Sequence, residues 1–298
     1  MIAIVGATGS LGREITARLL ATGAPVVAIT RVAGKAADLA SRGAEVRVAD
    51  LTDRASLASA IRGADAVVAA AHGLLGRGRY ASSRVDDAGH RALIDAASEA
   101  RVGHFVYTSV HGAAPTHPVV FWRTKFGIEQ HLQASGLSYT ILRPTAFMET
   151  HAHELLGKAI LAGKPAMMFG RGDRPLNFVA ARDVAGYAVR ALTDPSARGA
   201  TIEIGGPDNL TRMEVVQLYA RLSGRPAATR HLSLGALRVL SAVLRPVHPG
   251  ISGVMRAAIE FETIDQSFDP SETLRRFPAS LTTVETFVRE RVEATRPR

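Results

Sequence analysis

The chain opens on a short apolar run, Ile2-Ala3-Ile4-Val5, that passes directly into Gly6-Ala7-Thr8-Gly9-Ser10-Leu11-Gly12. Three glycines at this spacing, between a strand and a helix, leave few folds open. The first permits a tight turn, the second lets the backbone approach a ligand closely, and the third lets helix and strand pack. The next residues have helical spacing: Leu11, Ile15, Leu19 and Leu20 share one face of a helix predicted over 11–21. A second apolar run, 25–30, comes after it. The pattern implies a βαβ unit whose helix N-terminus offers free N–H groups to phosphates.

The same alternation continues. Strands are predicted at 44–49, 64–71, 105–110 and 138–142, with helices at 36–41, 56–61, 85–100 and 122–134. Short apolar runs alternating with helical patterns imply an α/β fold, a Rossmann-type doubly wound parallel sheet. After Pro144 the rhythm changes: short strands at 166–169, 177–179 and 201–204 are interspersed with helices at 182–192, 213–222 and 283–294. The expected division is a dinucleotide-binding domain over 1–145 and a smaller, mixed, partly interleaved C-terminal lobe over 146–298 that covers the cleft.

Within the first domain the phosphate-binding residues are Gly6, Thr8, Gly9, Ser10, Leu11 and Gly12. The end of the second strand decides which dinucleotide fits. A carboxylate there would accept a ribose 2′-OH; this sequence has Thr30-Arg31, with Lys35 one turn later. Two cations suit a 2′-phosphate, so NADP(H) is expected in preference to NAD(H). Asp50 ends the third strand, where it can reach the adenine amine with Leu51 packing on the ring, or else cap the helix after it. Ala71, the last residue of the fourth strand, His72 just past it, and His111, past the fifth, fall beside the cofactor crevice.

Composition narrows the partners. The 298 residues include 36 Lys and Arg against 27 Asp and Glu, a net charge of +9, and no cysteine. Disulfides, thiolate catalysis and cysteine metal sites are excluded, and no metal site is expected. The excess charge is nearly all arginine, without the clustered aromatics or recognition motif of a nucleic-acid binder, so no nucleic-acid partner is expected. Strand one starts at Ile2 and no apolar run spans a bilayer, which predicts a soluble cytoplasmic protein. One local asymmetry stands out: from Val215 to Ile259 there is no acid, while six arginines are present. The amphipathic stretch 234–245 within it reads as a cleft-covering helix, a homodimer surface or an interfacial helix.

Further segments complete a family pattern: Phe105-Val-Tyr-Thr-Ser-Val110, Trp122-Arg-Thr-Lys125 with Glu129, Gly136-Leu-Ser-Tyr-Thr-Ile-Leu-Arg-Pro-Thr-Ala-Phe-Met-Glu149, Phe178-Val-Ala-Ala-Arg-Asp-Val184 and Gly205-Gly-Pro207. Together with the glycine loop, they resemble the atypical short-chain dehydrogenase/reductases of the NmrA-like group, relatives of isoflavone reductase-like enzymes and NADPH-dependent quinone reductases. The resemblance runs over essentially the whole chain. It implies that Ser109 faces the nicotinamide or the reacting group. It also implies that Lys125 binds the nicotinamide ribose and supports proton transfer, and that Pro144, Thr145 and Phe147 lie along the nicotinamide. Phe121, Phe147 and Met148 then line the substrate pocket.

One position departs from the short-chain pattern. Counting back from Lys125, the tyrosine of Tyr-x-x-x-Lys is Phe121, which has no proton to give. Lys125, His111 and Tyr107 are the replacement donors; alternation puts Tyr107 on the same side of its strand as Ser109. Quinones and activated enones tolerate the missing phenol, because hydride addition to them leaves a stabilised anion that water can protonate. The expected function is an NADPH-dependent reductase acting on such a small apolar acceptor. A non-catalytic NADP(H) sensor of the NmrA type is the alternative, and an assembly factor using the basic second lobe near a membrane is a third reading.

Overall fold

The computed structural model describes residues 1–73 and 76–295. Its first compact unit comprises Met1–Arg143 and returns for Val184–Glu203; the second comprises Pro144–Asp183 and the chain from Ile204 onward.

The first unit is built from β1 (Ile2–Val5), α1 (Ser10–Ala21), β2 (Val26–Thr30), α2 (Ala37–Ser41), β3 (Glu45–Val48), α3 (Arg54–Ala60), β4 (Ala66–Ala69), α4 (His90–Glu99), β5 (His104–Thr108), α5 (Val120–Ala134) and β6 (Tyr139–Pro144). Strands β2, β4 and β5 are buried at every position. That is the pattern of a parallel sheet covered on both faces. The sheet runs β10-β6-β5-β4-β1-β2-β3, where β10 is Thr201–Ile204. All pairings from β6 to β3 are parallel. Strand β10 covers the edge of β6, with Ile141 N–H donating to the Ala200 carbonyl at 2.9 Å.

Strand order reverses at β1, which has β2 on one side and β4 on the other. In open parallel sheets, ligands bind in the crevice outside the carboxyl ends at such a switch point. Gly6 follows β1 there, and Ala71 lies just beyond β4. The two loops touch: a Cβ on Gly6 would lie 2.8 Å from the Ala71 backbone, and Gly6 holds φ +85°. Only glycine fits both conditions.

Where the helix was expected over 85–100, the first two turns are wider than an α-helix. Residues Ser83–Gly89 form a π-helix before α4 begins at His90. Two contacts account for it. A Cβ on Gly89 would meet the Leu51 carbonyl at 2.6 Å, and the Asp86 carboxylate is pulled inward by Gly73 N–H at 2.8 Å and the Ser82 hydroxyl at 2.5 Å.

The second unit holds β7 (Ala146–Phe147), a π-helical segment Met148–Gly157, α6 (Lys158–Leu161), β8 (Ala166–Phe169), β9 (Pro175–Val179), β11 (Asn209–Thr211), α8 (Arg212–Ser223), β12 (Thr229–Leu232), α9 (Leu234–Leu244), α10 (Pro249–Thr263), α11 (Ser271–Arg276) and α12 (Val284–Glu293). Helix α7 (Ala181–Thr193) carries the chain back to the first unit. Strands β11, β9 and β7 form one small sheet, and β12 pairs with β8. Helix α8 starts in a full capping box, Thr211 with Glu214, and ends on left-handed Gly224. A buried ion pair, Arg212 with Glu262, ties α8 to α10. The second Glu262 oxygen accepts from the Arg171 and Gly172 amides at 2.9 and 3.0 Å, so the buried carboxylate is fully used. Among the described residues no helix is long and apolar enough to cross a membrane.

Burial of histidines makes the fold sensitive to acid. His90 in the first unit and His151 in the second are both pushed down to about 4, chiefly by burial, with the Lys125 and Arg212 cations adding to it respectively. The unfolded chain binds these protons near 6.5, so between pH 6.5 and 4 it holds more protons than the folded one. Stability is therefore expected to fall as pH drops through that window, by on the order of 3 kcal/mol per histidine, and these two groups add nothing further below it. Urea unfolding at pH 7, 5.5 and 4.5 checks this. A His90→Gln variant should show a shallower slope; an unchanged slope would remove His90 from the account.

Candidate active site

The glycine loop is shaped by contact. A Cβ on Gly12 would overlap the carbonyl oxygen of Gly6, so α1 can begin this close to β1 only with glycine there. Gly9 is the N-cap of α1 and no side chain caps the helix. The first-turn N–H groups are thus left without side-chain acceptors, and the helix end carries partial positive charge. Arg13 Nε holds the Thr8 carbonyl at 3.2 Å, and the Thr8 and Thr30 hydroxyls lie 3.4 Å apart. Gly9 and Ser10 are exposed while Leu11 is anchored in the core. The cradle fits a diphosphate: the Gly6, Ala7 and Gly9 amides are bonded to the carbonyls of Ile29 and Gly6, but no side chain accepts from the first turn of α1 and the glycines leave no side chain in the way.

Arg31 and Lys35 are both exposed just past β2. Arg31 has no carboxylate partner among the described residues; its guanidinium instead stacks on Tyr80, 4.7 Å from the ring centroid. Asp50 does not cap α3. That role belongs to Asp53, which accepts from the amides of Ala55 and Ser56. Asp50 turns back on Thr52, accepting from its amide and hydroxyl at 2.9 Å each. Three residues, not one, separate Asp50 from the helix start, which is why the capping alternative fails. Leu51 is buried and Ala71 half-buried, whereas His72 is exposed.

At the end of β5 the side chains converge. Lys125 is 3% exposed, and its ammonium donates to the Thr108 carbonyl at 2.9 Å. It lies 4.9 Å from the Tyr107 ring centroid and 5.5 Å from that of Phe121. Helix α5 starts two residues earlier than expected, so Phe121 and Lys125 lie on it at i and i+4, one above the other. Phe121 keeps the place of a phenol without the hydroxyl. Burial lowers the Lys125 pKa, while the carboxylates of Asp86 and Glu129 act in the opposite sense and favour its charge.

Beside Lys125 runs a polar chain that the sequence barely hints at. The Ser109 hydroxyl donates to Glu129, which is 1% exposed. Arg143 grips the same carboxylate through Nε at 2.9 Å and Nη2 at 2.5 Å, and its Nη1 reaches Glu203 at 3.0 Å. Glu203 in turn holds His111 Nδ1 at 2.7 Å. Glu129 and Arg143 come from the consecutive elements α5 and β6, and Glu203 comes from β10, 60 residues beyond Arg143. The only signal available was an arginine and a glutamate in strands that should be apolar. Trp122 Nε1 donates to the His111 carbonyl at 2.8 Å and stacks on His117, which fixes the loop between β5 and α5.

Two expected site residues are corrected. Tyr107 has no exposed surface and lies edge-on to His90 in the sheet core. Burial pushes its phenol well above the ordinary value, so it is not a proton donor to a bound molecule. Met148 is likewise fully buried, packed in the core of the second unit, and cannot line a pocket. Pro144 ends β6; Thr145, whose hydroxyl meets Asn177 Oδ1 at 2.9 Å, and half-buried Phe147 belong to the second unit.

Fold, loop and lysine together define an NAD(P)-type Rossmann protein of the short-chain reductase kind. Residues 1–288 match the NmrA-like family, and the chain belongs to it. It is 32% identical to the NAD(P)H azoreductase of Xenophilus azovorans over 228 residues, 76% of this chain and 75% of that one. It is 30% identical to the photosystem II assembly factor Ycf39 of Synechocystis, covering 82% and 74% respectively. Among solved structures, the NADPH-dependent quinone oxidoreductase QOR2 of Escherichia coli complexed with NADPH superimposes with a TM-score of 0.76 at 28% identity, over 97% of this chain and 99% of that one.

Proposed function

We propose that the protein is a cytoplasmic NADPH-dependent reductase that passes a hydride to a small apolar acceptor such as a quinone or enone. The observation that carries this is the buried Lys125 ammonium set against Phe121 at the carboxyl end of β5, in the same sheet whose β1 leads into a glycine loop and a helix start with no side-chain cap. The relatives named as azoreductase and quinone oxidoreductase support catalysis over sensing. When bound, the dinucleotide supplies the hydride. Gly6, Thr8, Gly9, Ser10, Leu11 and Gly12 would hold its diphosphate, and Arg31 and Lys35 its 2′-phosphate. Asp50, Leu51, Ala71 and His72 would border the adenosine half. Ser109 and Lys125 would border the nicotinamide half.

The residues around Lys125 define what acceptor suits the site. Ser109 has committed its one proton to Glu129, and Phe121 has none. An acceptor whose reduced anion is stable enough to be protonated by water matches this arrangement, and an unactivated ketone does not. Lys125 holds positive charge in a low-dielectric site, where it stabilises the anion that forms on the acceptor. His111, held by Glu203, remains the side chain able to return a proton near the surface.

A Gly12→Val change tests the cradle. Its side chain would enter the Gly6 carbonyl, so NADPH affinity is expected to fall at least about tenfold, a loss near 1.4 kcal/mol. Fluorescence titration with NADPH reads it directly, with circular dichroism showing that the variant folds. A folded Gly12→Val protein that binds NADPH normally would overturn the cradle.

A further inference from the structure

The proposed 2′-phosphate grip rests on Arg31 and Lys35, both from the segment after β2. A third cation stands at the same place from a different part of the chain. Arg79, in the segment between β4 and the π-helical turn, lies over the Tyr80 ring with its guanidinium carbon 5.0 Å from the centroid. Arg31 lies over the same ring at 4.7 Å. One aromatic ring therefore carries two guanidiniums, one from the segment after β2 and one from the segment after β4.

Two like charges on one ring repel unless an anion answers them. Asp50 answers only part of this. It meets Arg79 at 3.4 Å, and its carboxylate is already used by the Thr52 amide and hydroxyl and by the Tyr80 hydroxyl. Arg79 also reaches the Thr52 hydroxyl at 3.3 Å, yet its side chain stays 64% exposed. Arg31 has no acid at all among the described residues. The cluster sets two guanidiniums against one carboxylate, an excess of positive charge that suits a phosphomonoester dianion.

We infer that Arg79 and Tyr80 are specificity-determining residues for the dinucleotide, Arg79 as a second guanidinium on the 2′-phosphate and Tyr80 as the platform that spaces it from Arg31. This rests on the dinucleotide reading under the proposed function. It adds a residue from beyond β4 to a discrimination otherwise confined to the end of β2. Asp50 then acts as an anchor for Tyr80 and Arg79 rather than chiefly as an adenine acceptor.

The test compares adenosine 2′,5′-bisphosphate with 5′-AMP by calorimetric titration of the full chain. The wild type is expected to prefer the bisphosphate by tenfold or more. Arg79→Ala should lose about five- to tenfold in bisphosphate affinity and leave 5′-AMP within twofold. Tyr80→Ala should lose as much, because the platform is gone, while Tyr80→Phe keeps the ring and most of the preference. Equal loss for both nucleotides in Arg79→Ala, or no loss, overturns the assignment. So does a Tyr80→Ala variant that binds both nucleotides more tightly, since the ring would then be a plug. A wild type that binds neither nucleotide removes the dinucleotide reading itself, which separates the two failures.

Discussion

Lys125→Met is expected to lower the rate of NADPH-dependent quinone reduction by roughly 10²- to 10³-fold, the usual cost of removing one preorganised electrostatic group from a reacting centre. The substitution is close to isosteric along the stem, so the packing against Tyr107 and Phe121 is kept and mainly the charge is lost. Burying a cation costs stability even when it is paired. The change also strips the Thr108 carbonyl of its donor, so the thermal melt must show a folded variant before a rate loss is assigned to the missing charge. NADPH affinity should change by only a few-fold, because the phosphate cradle and Arg31 are remote in sequence and untouched. Steady-state kinetics with a water-soluble quinone, fluorescence titration and a thermal melt together make the measurement. Turnover by Lys125→Met at the wild-type rate would end the proposed role of the lysine and leave the open sensor reading in its place.

Adding the missing phenol asks the complementary question. Phe121→Tyr would restore a phenol on the ring that the Lys125 ammonium approaches at 5.5 Å across one helical turn. If the absence of a fixed acid is what restricts the acceptor, this variant should gain activity toward simple ketones while its quinone activity changes little. Ketone turnover that stays at background in a folded Phe121→Tyr protein would count against that restriction.

Local order was legible where one residue type has one physical use. Gly6, Gly9 and Gly12 specify the loop because no side chain fits there, and the fully apolar runs of β2, β4 and β5 specify a doubly covered parallel sheet. The pairing of β10 with β6 was not legible, because Val184–Glu203 leaves one unit for another through a helix whose spacing looks like any other. Asp50 and Asp53 show the limit in small. Both are acids near a helix start, and only the turn geometry decides that Asp53 is the cap. Tyr107 shows it differently: strand alternation placed it beside Ser109, but alternation says nothing about depth, and the phenol is sealed in the core. The polar chain from Ser109 to His111 was beyond reach for a related reason. Its members look unexceptional one at a time, and only the return of β10 to the sheet brings Glu203 to Arg143 and His111.

That chain sets the second large expected effect. Glu129→Ala should destabilise the protein by about 3 kcal/mol, because the partly buried Arg143 loses its two-point partner and keeps only Glu203. The carboxylate is almost wholly buried, and Arg143, only 19% exposed on its side chain, grips it at two nitrogens. Hydrogen bonds to Glu129 and Glu203 hold the guanidinium pKa above its ordinary value, so Arg143 cannot shed its charge to escape. Removing the acid also strips Ser109 of its acceptor. Glu129→Gln keeps the shape and should cost less, because an amide oxygen can still accept from Ser109 or Arg143. The double change Glu129→Leu with Arg143→Met removes both charges and should recover much of the loss, since an apolar pair of similar volume often matches a buried ion pair. Urea unfolding of the three variants resolves these differences. A single Glu129→Ala cost under about 1 kcal/mol would mean that solvent reaches the pair. A double variant no better than the single would mean that Glu203 and His111, not Glu129, hold Arg143 in place. If the double variant folds but has lost quinone turnover, Glu129 also acts through Ser109: its carboxylate takes the hydroxyl proton and leaves the serine oxygen able only to accept.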